Sequence, residues 1–336
     1  MRKSLYLILA AVLLSACDRG TTVEPVKIIG QAQGSYYSVI YYDSLGRDFS
    51  VPIDSLLQAF DQVASLWVDS SELQQLNRNE TNLLSPMMAD LFDKSASVSD
   101  YTGGAFNPFI GPLVAAWGFS FKEREELSDQ RVSELLQYAH GRWTVSQNAQ
   151  GLKELAKEYP EMQADFNAVA QGYVVDLIGQ WLTRQGVSRY LVDVGGETLA
   201  RGLKPDGSPW KIGIERPAQS KEDAPEVEVR IALRDCSVVT SGNYRKYYEK
   251  DGVRYSHTVD PATGRPVSHT LLSVSVIDAE AWRADALATA FMVMGLQKSL
   301  QFVESHPRNP AVFFIYDEDG QYKTLATPEF SKLIIQ

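Results

Sequence analysis

The chain has 336 residues and a formal charge of −10. That acidity excludes a protein that coats nucleic acid, where Lys and Arg must neutralise phosphates. Four histidines, at 140, 257, 269 and 306, show no zinc-ligand spacing, which excludes a structural zinc fold.

The first residues address the compartment. Arg2 and Lys3 precede an apolar run from Leu5 to Ala16. The run is shorter than the ~20 residues of a membrane-spanning helix and fits the core of an export signal. Leu14-Ser15-Ala16-Cys17 resembles a lipobox, which predicts a signal peptide over 1–16 and a lipid on Cys17. Each buried CH₂ of an acyl chain contributes ~0.8 kcal/mol, so several chains anchor durably. Residues 17–26 read as a polar tether, and Asp18 resembles the signal that keeps Gram-negative lipoproteins on the inner membrane. With Cys17 acylated, Cys236 has no partner for a disulfide. It sits in the apolar segment Cys236-Ser237-Val238-Val239 and reads as a buried, inert strand thiol.

Ser38 to Tyr42 reads as a strand. From Pro52 a helix follows, with Ile53, Leu56, Leu57, Phe60, Val63, Ala64 and Trp67 on one face. Ser85-Pro86 starts a second helix and Gly103-Gly104 ends it. A third runs from about Ala168 to Gln185 and stops at Gly186. The pattern then turns to strands at Tyr190 to Val194, Lys211 to Glu215, Val227 to Leu233 and Val238 to Thr240. Residues 217–226 read as an exposed loop. Asp251-Gly252 and Asp319-Gly320 predict tight hairpins. Between them, Ala281 to Met294 is a helix closed by Gly295. Helices and strands come in blocks, so the fold class is α+β.

Neither a Gly-x-x-x-x-Gly-Lys loop nor a Gly-x-Gly-x-x-Gly turn is present, so any nucleotide must be held another way. Asp285 and Thr289 lie four apart on the last helix and share a face. Both are hard oxygen donors suited to Mg²⁺, and the apolar residues around them place the carboxylate where it needs a partner. Thr240-Ser241-Gly242-Asn243-Tyr244 leads to His257 and to the turn Asp260-Pro261-Ala262-Thr263-Gly264. His257 reads as a general base, a phosphate ligand or a hydrogen-bonded strand histidine. The Gly- and Pro-rich run from Gly103 to Leu113 makes a shaped turn that either packs on a planar ring or tucks into the core. Asp165 and Asn167 are cap-type residues opening the third helix, whose start also offers N–H groups to a phosphate or carbonyl.

Together these segments resemble the ApbE flavin transferase family, the FAD:protein FMN transferases. The resemblance is carried by Ser71-Glu72-Leu73 through Asn77, by residues 104–119 and by Asp165 to Asp176. It continues through Thr240 to Pro266 and Ala284-Asp285-Ala286-Leu287-Ala288-Thr289. It implies helices and mostly antiparallel sheets in a two-lobed, T-fold-related domain over 27–336, with FAD between the lobes. It also implies that Asp285, Thr289 and the Ala168 carbonyl hold Mg²⁺ (Mn²⁺ being the other candidate in the cell). Gln33, Trp67, Ala105, Phe106, Asn107, Asp165, Gln171 and Val259 would contact FAD, and His257 would act beside the transferred phosphate. Gln171 stands where many members carry Lys, and Gln33 where many carry Met. The implied reaction moves FMN from FAD to a Ser or Thr hydroxyl and releases AMP. The rivals are an FAD pyrophosphatase and a non-enzymatic periplasmic flavin-binding lipoprotein. The implied partners are periplasm-facing flavoprotein subunits of membrane NADH-linked redox complexes, reached from a lipid anchor on the inner membrane.

Overall fold

A computed structural model describes residues 24–119, 125–217, 226–243, 247–250, 253–306 and 310–335. The export signal, Cys17 and Asp18, together with Tyr244, Asp251-Gly252 and residues 218–225 of the loop, lie outside the described residues.

Eight strands form one antiparallel sheet whose spatial order follows the chain. They are Pro25–Ala32, Ser35–Tyr42, Tyr190–Val194, Glu197–Arg201, Cys236–Gly242, Leu271–Asp278, Ala311–Glu318 and Gln321–Ala326. Such a meander leaves its helices to the excursions between strands. Between the second and third strands the chain makes α1 (Ser50–Ala64), α2 (Glu72–Asn77), α3 (Pro86–Tyr101), α4 (Gly111–Ala116), α5 (Asp129–Ala139) and α6 (Ala170–Arg184). Between the sixth and seventh strands comes α7 (Ala281–Ser305).

Local chemistry sets several boundaries. Ser85 Oγ accepts the Met88 N–H at 3.2 Å, with Pro86 in the first turn of α3, as the sequence predicts. Asp319 and Gly320 both have positive φ, 55° and 75°, and Glu318 pairs with Gln321. That is the two-residue hairpin expected of Asp-Gly. Lys250 pairs with Val253 around the other Asp-Gly. Two expectations are corrected. Pro25 and Val26 pair with Tyr42 and Tyr41, so the edge strand takes the last two residues read as tether; the run that begins there buries Ile28. Gly295, at φ 73° and ψ 171°, bends α7 into a second helical segment instead of ending it. His269 Nε2 pairs with the Met292 carbonyl there at 2.7 Å, satisfying a group that the break would orphan.

Among the described residues the core has three parts. On one face of the sheet, α6 and α7 bury Val174, Ile178, Leu182, Leu287 and Phe291 against Val239, Val274 and Val276. On the other, Trp210, Ile214, Ile231 and Leu233 meet Val238, Ile277, Phe313 and Ile315. The period-two alternation along Leu271–Asp278 feeds both faces. A smaller cluster joins Leu113, Ala116, Trp117, Val132, Leu135, Ala139 and Val259. Cys236 opens its strand half-buried, and burial pushes its thiol up, which suits an inert residue.

Candidate active site

Helices α6 and α7 cross where Gly172 lies directly against the backbone of Ala281, leaving no room for a Cβ. Neither helix is capped by the side chain preceding it, Val169 or Glu280. Asp285 Oδ2 accepts the Gly172 N–H at 3.0 Å. In return, the Asp176 carboxylate accepts the N–H groups of Ala281 and Trp282, at 3.1 and 2.9 Å. Asp285 is 6% exposed, and burial pushes its carboxyl up to about 7. Its apolar neighbours explain why it is there. Leu287, Phe291 and Met292 are almost fully buried, at ~1.5–3 kcal/mol apiece, and draw the whole helix inward.

One helical turn on, Thr289 Oγ1 lies 3.3 Å from Ser241 Oγ on the fifth strand of the sheet. Ala168 stands just before α6, four residues from Gly172. Among the described residues no three His, Cys, Asp or Glu converge on a metal position. The oxygen groups placed at this junction are one carboxylate and the Thr289 and Ser241 hydroxyls, with the Ala168 backbone close by along the chain. These residues fit Mg²⁺, which accepts hard oxygens, few carboxylates and substrate phosphates, better than a transition metal.

Asp165 is buried, and burial raises its pKa. Its Oδ1 accepts the Asn167 N–H at 2.8 Å in a turn that precedes the helix, so it does not cap α6 as the sequence suggests. The helix starts later because Phe166 and Val169 are pulled into the core. The Asp165 N–H reaches the Pro108 carbonyl at 2.8 Å, tying this turn to the run from Gly103 to Leu113. Asn77 grips the neighbouring Ala164 backbone from both sides, at 2.7 and 2.9 Å. Together they line a cavity of about 280 Å³ with Leu66, Arg78, Gly111 and Ala115. Phe106 is 2% exposed, and Asn107 spends its side chain on the Phe109 N–H and the Ala139 carbonyl. That turn therefore presents backbone and the half-buried Ala105, while its aromatic ring faces the core.

Gln33 sits at a hairpin tip with φ 51°. Its amide is shielded from water and makes no hydrogen bond of ordinary geometry, with Asp61 the carboxyl nearest to feel it. An amide with hydrogen-bonding capacity left beyond the Asp61 carboxylate fits a polar ligand. Trp67 lies beyond the end of α1 and is 64% exposed; it does not share that helix's buried face. Gln171, in the first turn of α6, puts its amide over the Cα of Gly195, and Glu197 flanks it.

His257 is half-buried, with Phe119 edge-on at 6.5 Å between ring centroids. Val259 is 5% exposed within the third cluster. The turn that follows folds on itself: Asp260 Oδ1 accepts the Ala262 N–H at 2.8 Å, and the Asp260 carbonyl accepts the Gly264 N–H at 2.8 Å. Trp117 Nε1 donates to the Gly264 carbonyl at 2.8 Å, and His140 Nε2 pairs with the Pro261 carbonyl at 2.9 Å. Helix α7 touches the short strand at Val259. The structure thus gathers Asp285, Thr289, Ala168 and Gln171 around the start of α6, with Val259 on an adjoining element. It joins Asp165 to the 105–107 turn. Gln33 and Trp67 stand apart, on the side of α1. Asp61 is not singled out in the sequence, and Asn77 and Asp176 appear there only as ends of family-like segments, without their roles; a carboxylate four residues after Gly172, on the same face, is a further signal for Asp176.

A family profile described as the ApbE family matches residues 33–314. An FAD:protein FMN transferase of Vibrio cholerae is 32% identical over 348 aligned positions covering 99% of each chain. One from Salmonella typhimurium is 33% identical, covering 97% of this chain and 95% of that one. Among solved structures, the flavin transferase ApbE of Vibrio cholerae superposes with a TM-score of 0.79 at 30% identity, over 92% of this chain and 99% of that chain. The apo flavinyl transferase ApbE of Pseudomonas stutzeri gives 0.80 at 34%, over 92% and 96%. The α+β class read from the sequence is the class of these structures. The chain belongs to the ApbE family and is an enzyme.

Proposed function

We propose that the chain takes FAD as its substrate and transfers the FMN half to a Ser or Thr hydroxyl of a target protein, releasing AMP. The observation that carries this is the buried Asp285 of α7, set against the start of α6 one turn from Thr289, which meets Ser241. It is an oxygen set too sparse to enclose a cation by itself, and so one that suits a cation shared with a diphosphate. The relatives named as FAD:protein FMN transferases support the substrate.

Asp285, Thr289 and the Ala168 carbonyl would hold Mg²⁺. When bound, the ion supplies neutralising charge at the diphosphate and at the departing AMP. The chain's own residues orient the reaction. Asp165, Val259 and the backbone of Ala105, Phe106 and Asn107 position the dinucleotide. Gln33 and Gln171 donate amide hydrogen bonds, and Trp67 offers an exposed ring face. The target hydroxyl attacks the FMN phosphorus in line, and the bond from that phosphorus to the AMP oxygen breaks. His257 receives the hydroxyl proton.

The apolar run before Cys17 supports a lipid-anchored enzyme on the periplasmic side of the inner membrane. Its targets would be flavoprotein subunits of membrane NADH-linked redox complexes, at a local concentration raised by the tether. The test mixes the full chain with FAD, Mg²⁺ and such a target and looks for flavin fluorescence on the denatured target in a gel. Labelled target together with free AMP is the expected result. FMN and AMP without labelled protein would mean hydrolysis, and intact FAD would mean binding alone; either result rejects transfer.

A further inference from the structure

Each of the two central helices takes its N-terminal cap from the other. Asp176, in the second turn of α6, receives the first two N–H groups of α7; Asp285, in the second turn of α7, receives an N–H in the first turn of α6. Between the two exchanges, Gly172 lies in backbone contact with Ala281. We propose that Asp176 is a positioning residue for the cation site, setting where α7 sits along α6 and hence where Asp285 and Thr289 stand. The proposal rests on the reading of Asp285 and Thr289 as cation ligands.

Arg283 pairs with Asp278 at 3.2 Å and lies over the Tyr101 ring, which holds the outer side of α7, but neither contact reaches its first N–H groups. Glu280 provides no side-chain cap, so the unpaired N–H groups of Ala281 and Trp282 depend on Asp176. The partial positive charge of a helix N-terminus favours a carboxylate over a neutral acceptor. Asp285 follows Ala281 by four residues, so a slide of one residue along α7, ~1.5 Å, would move its oxygens out of reach of Gly172. It would also part Thr289 from Ser241. Lys94 on α3 and Glu280 are the charged groups facing Asp176, and Lys94 Nζ lies over the Trp282 ring at 5.1 Å. The carboxylate is therefore aimed at the helix end, one oxygen to each N–H, with the Lys94 ammonium nearby.

The test is Mn²⁺ affinity, read by electron paramagnetic resonance on the full chain with FAD and no target protein, alongside the thermal midpoint. Asp176→Asn is expected to weaken Mn²⁺ binding roughly tenfold or more, the scale on which groups that orient ligands without touching the ion act. The control is Ser299→Ala, which removes the Ser299 Oγ bonds to the Phe291 and Gly295 carbonyls in the same helix, at 3.1 and 2.7 Å, without touching either cap. It should lower the midpoint and leave Mn²⁺ affinity within about twofold, since an uncoupled site is additive. If Asp176→Asn only lowers the midpoint and leaves affinity unchanged, the inference is overturned. Should Asp176→Asn not fold, Asp176→Glu, which keeps the charge but moves the oxygens by one methylene, is judged by the same criteria. Asp285→Ala separates the two claims: unchanged Mn²⁺ affinity in that variant removes the cation site itself. Lost affinity there, with intact affinity in the Asp176 variant, removes only the positioning role.

Discussion

The α6–α7 junction and the turn at residues 257–267 both carry residues of the proposed site, yet different forces hold them. At the junction, two buried carboxylates accept backbone N–H groups across a glycine contact. At the turn, Val259 and the backbone of Gly264 are seated among Leu113, Trp117, Val132 and Leu136. The junction spends polar groups in a low-dielectric place, where charge matters most. The turn adds buried apolar volume to hydrogen bonds whose one carboxylate, Asp260, stands toward solvent, where charge matters less. The cation side of the site should therefore respond to pH and metal, and the histidine side to packing.

The largest expected effect is on activity. Asp285→Ala should remove Mg²⁺-dependent flavin transfer, a loss of at least ~100-fold, because a first ligand and an N–H acceptor go together. The folded chain should persist, which circular dichroism would check; transfer at the parent rate would end the metal assignment. His257→Ala should slow turnover by ~10²–10⁴, the usual contribution of a general base, with little change in FAD affinity. Loss of FAD affinity with turnover intact would make His257 a ligand.

Stability comes next, and two glycines sharpen the contrast. Gly172→Ala drives a Cβ into the Ala281 carbonyl and should cost ~1–3 kcal/mol or more, together with Mn²⁺ affinity, because the overpacked backbone cannot yield. Gly264→Ala combines φ 67° with a Cβ 2.8 Å from Val132 Cγ1. It should cost a similar ~1–3 kcal/mol by denaturant melts while leaving Mn²⁺ affinity unchanged. Equal losses of metal affinity in both would erase the distinction between the regions.

The smallest effect is the pH profile. Burial pushes both Asp176 and Asp285 up to about 7. Each binds its proton more tightly in the folded chain than in the unfolded one. Without metal, stability should thus be greatest near the ordinary carboxylate range, fall as pH rises toward 7, and level off above it. Saturating Mg²⁺ favours the ionised Asp285 and should flatten the part of that fall which Asp285 contributes, leaving the part due to Asp176. Thermal midpoints from pH 5 to 8, with and without Mg²⁺, decide it; a profile that Mg²⁺ leaves unaltered would contradict the junction's charge sensitivity.

Much of this was legible along the chain because the signals are local. Ser85-Pro86 starts α3 and Asp319-Gly320 turns a hairpin, each through the conformational preferences of one or two residues, while Gly295 marks a bend in α7 that the sequence reads as its end. The pairing of Asp285 with Thr289 on one helix face also follows from spacing alone. Other features depend on residues far apart. Trp67 falls outside α1 because the helix stops at Ala64, and Asp165 sits in a turn because packing delays the start of α6. Asp176 meets Ala281 across 105 positions of sequence. Periodicity and capping preferences reach only a few residues, so the sequence by itself determined most elements and which oxygen-bearing side chains share a helix face. Which carboxylate caps which helix was decided only when α6 and α7 packed at Gly172, because a backbone contact that close exists in no local segment.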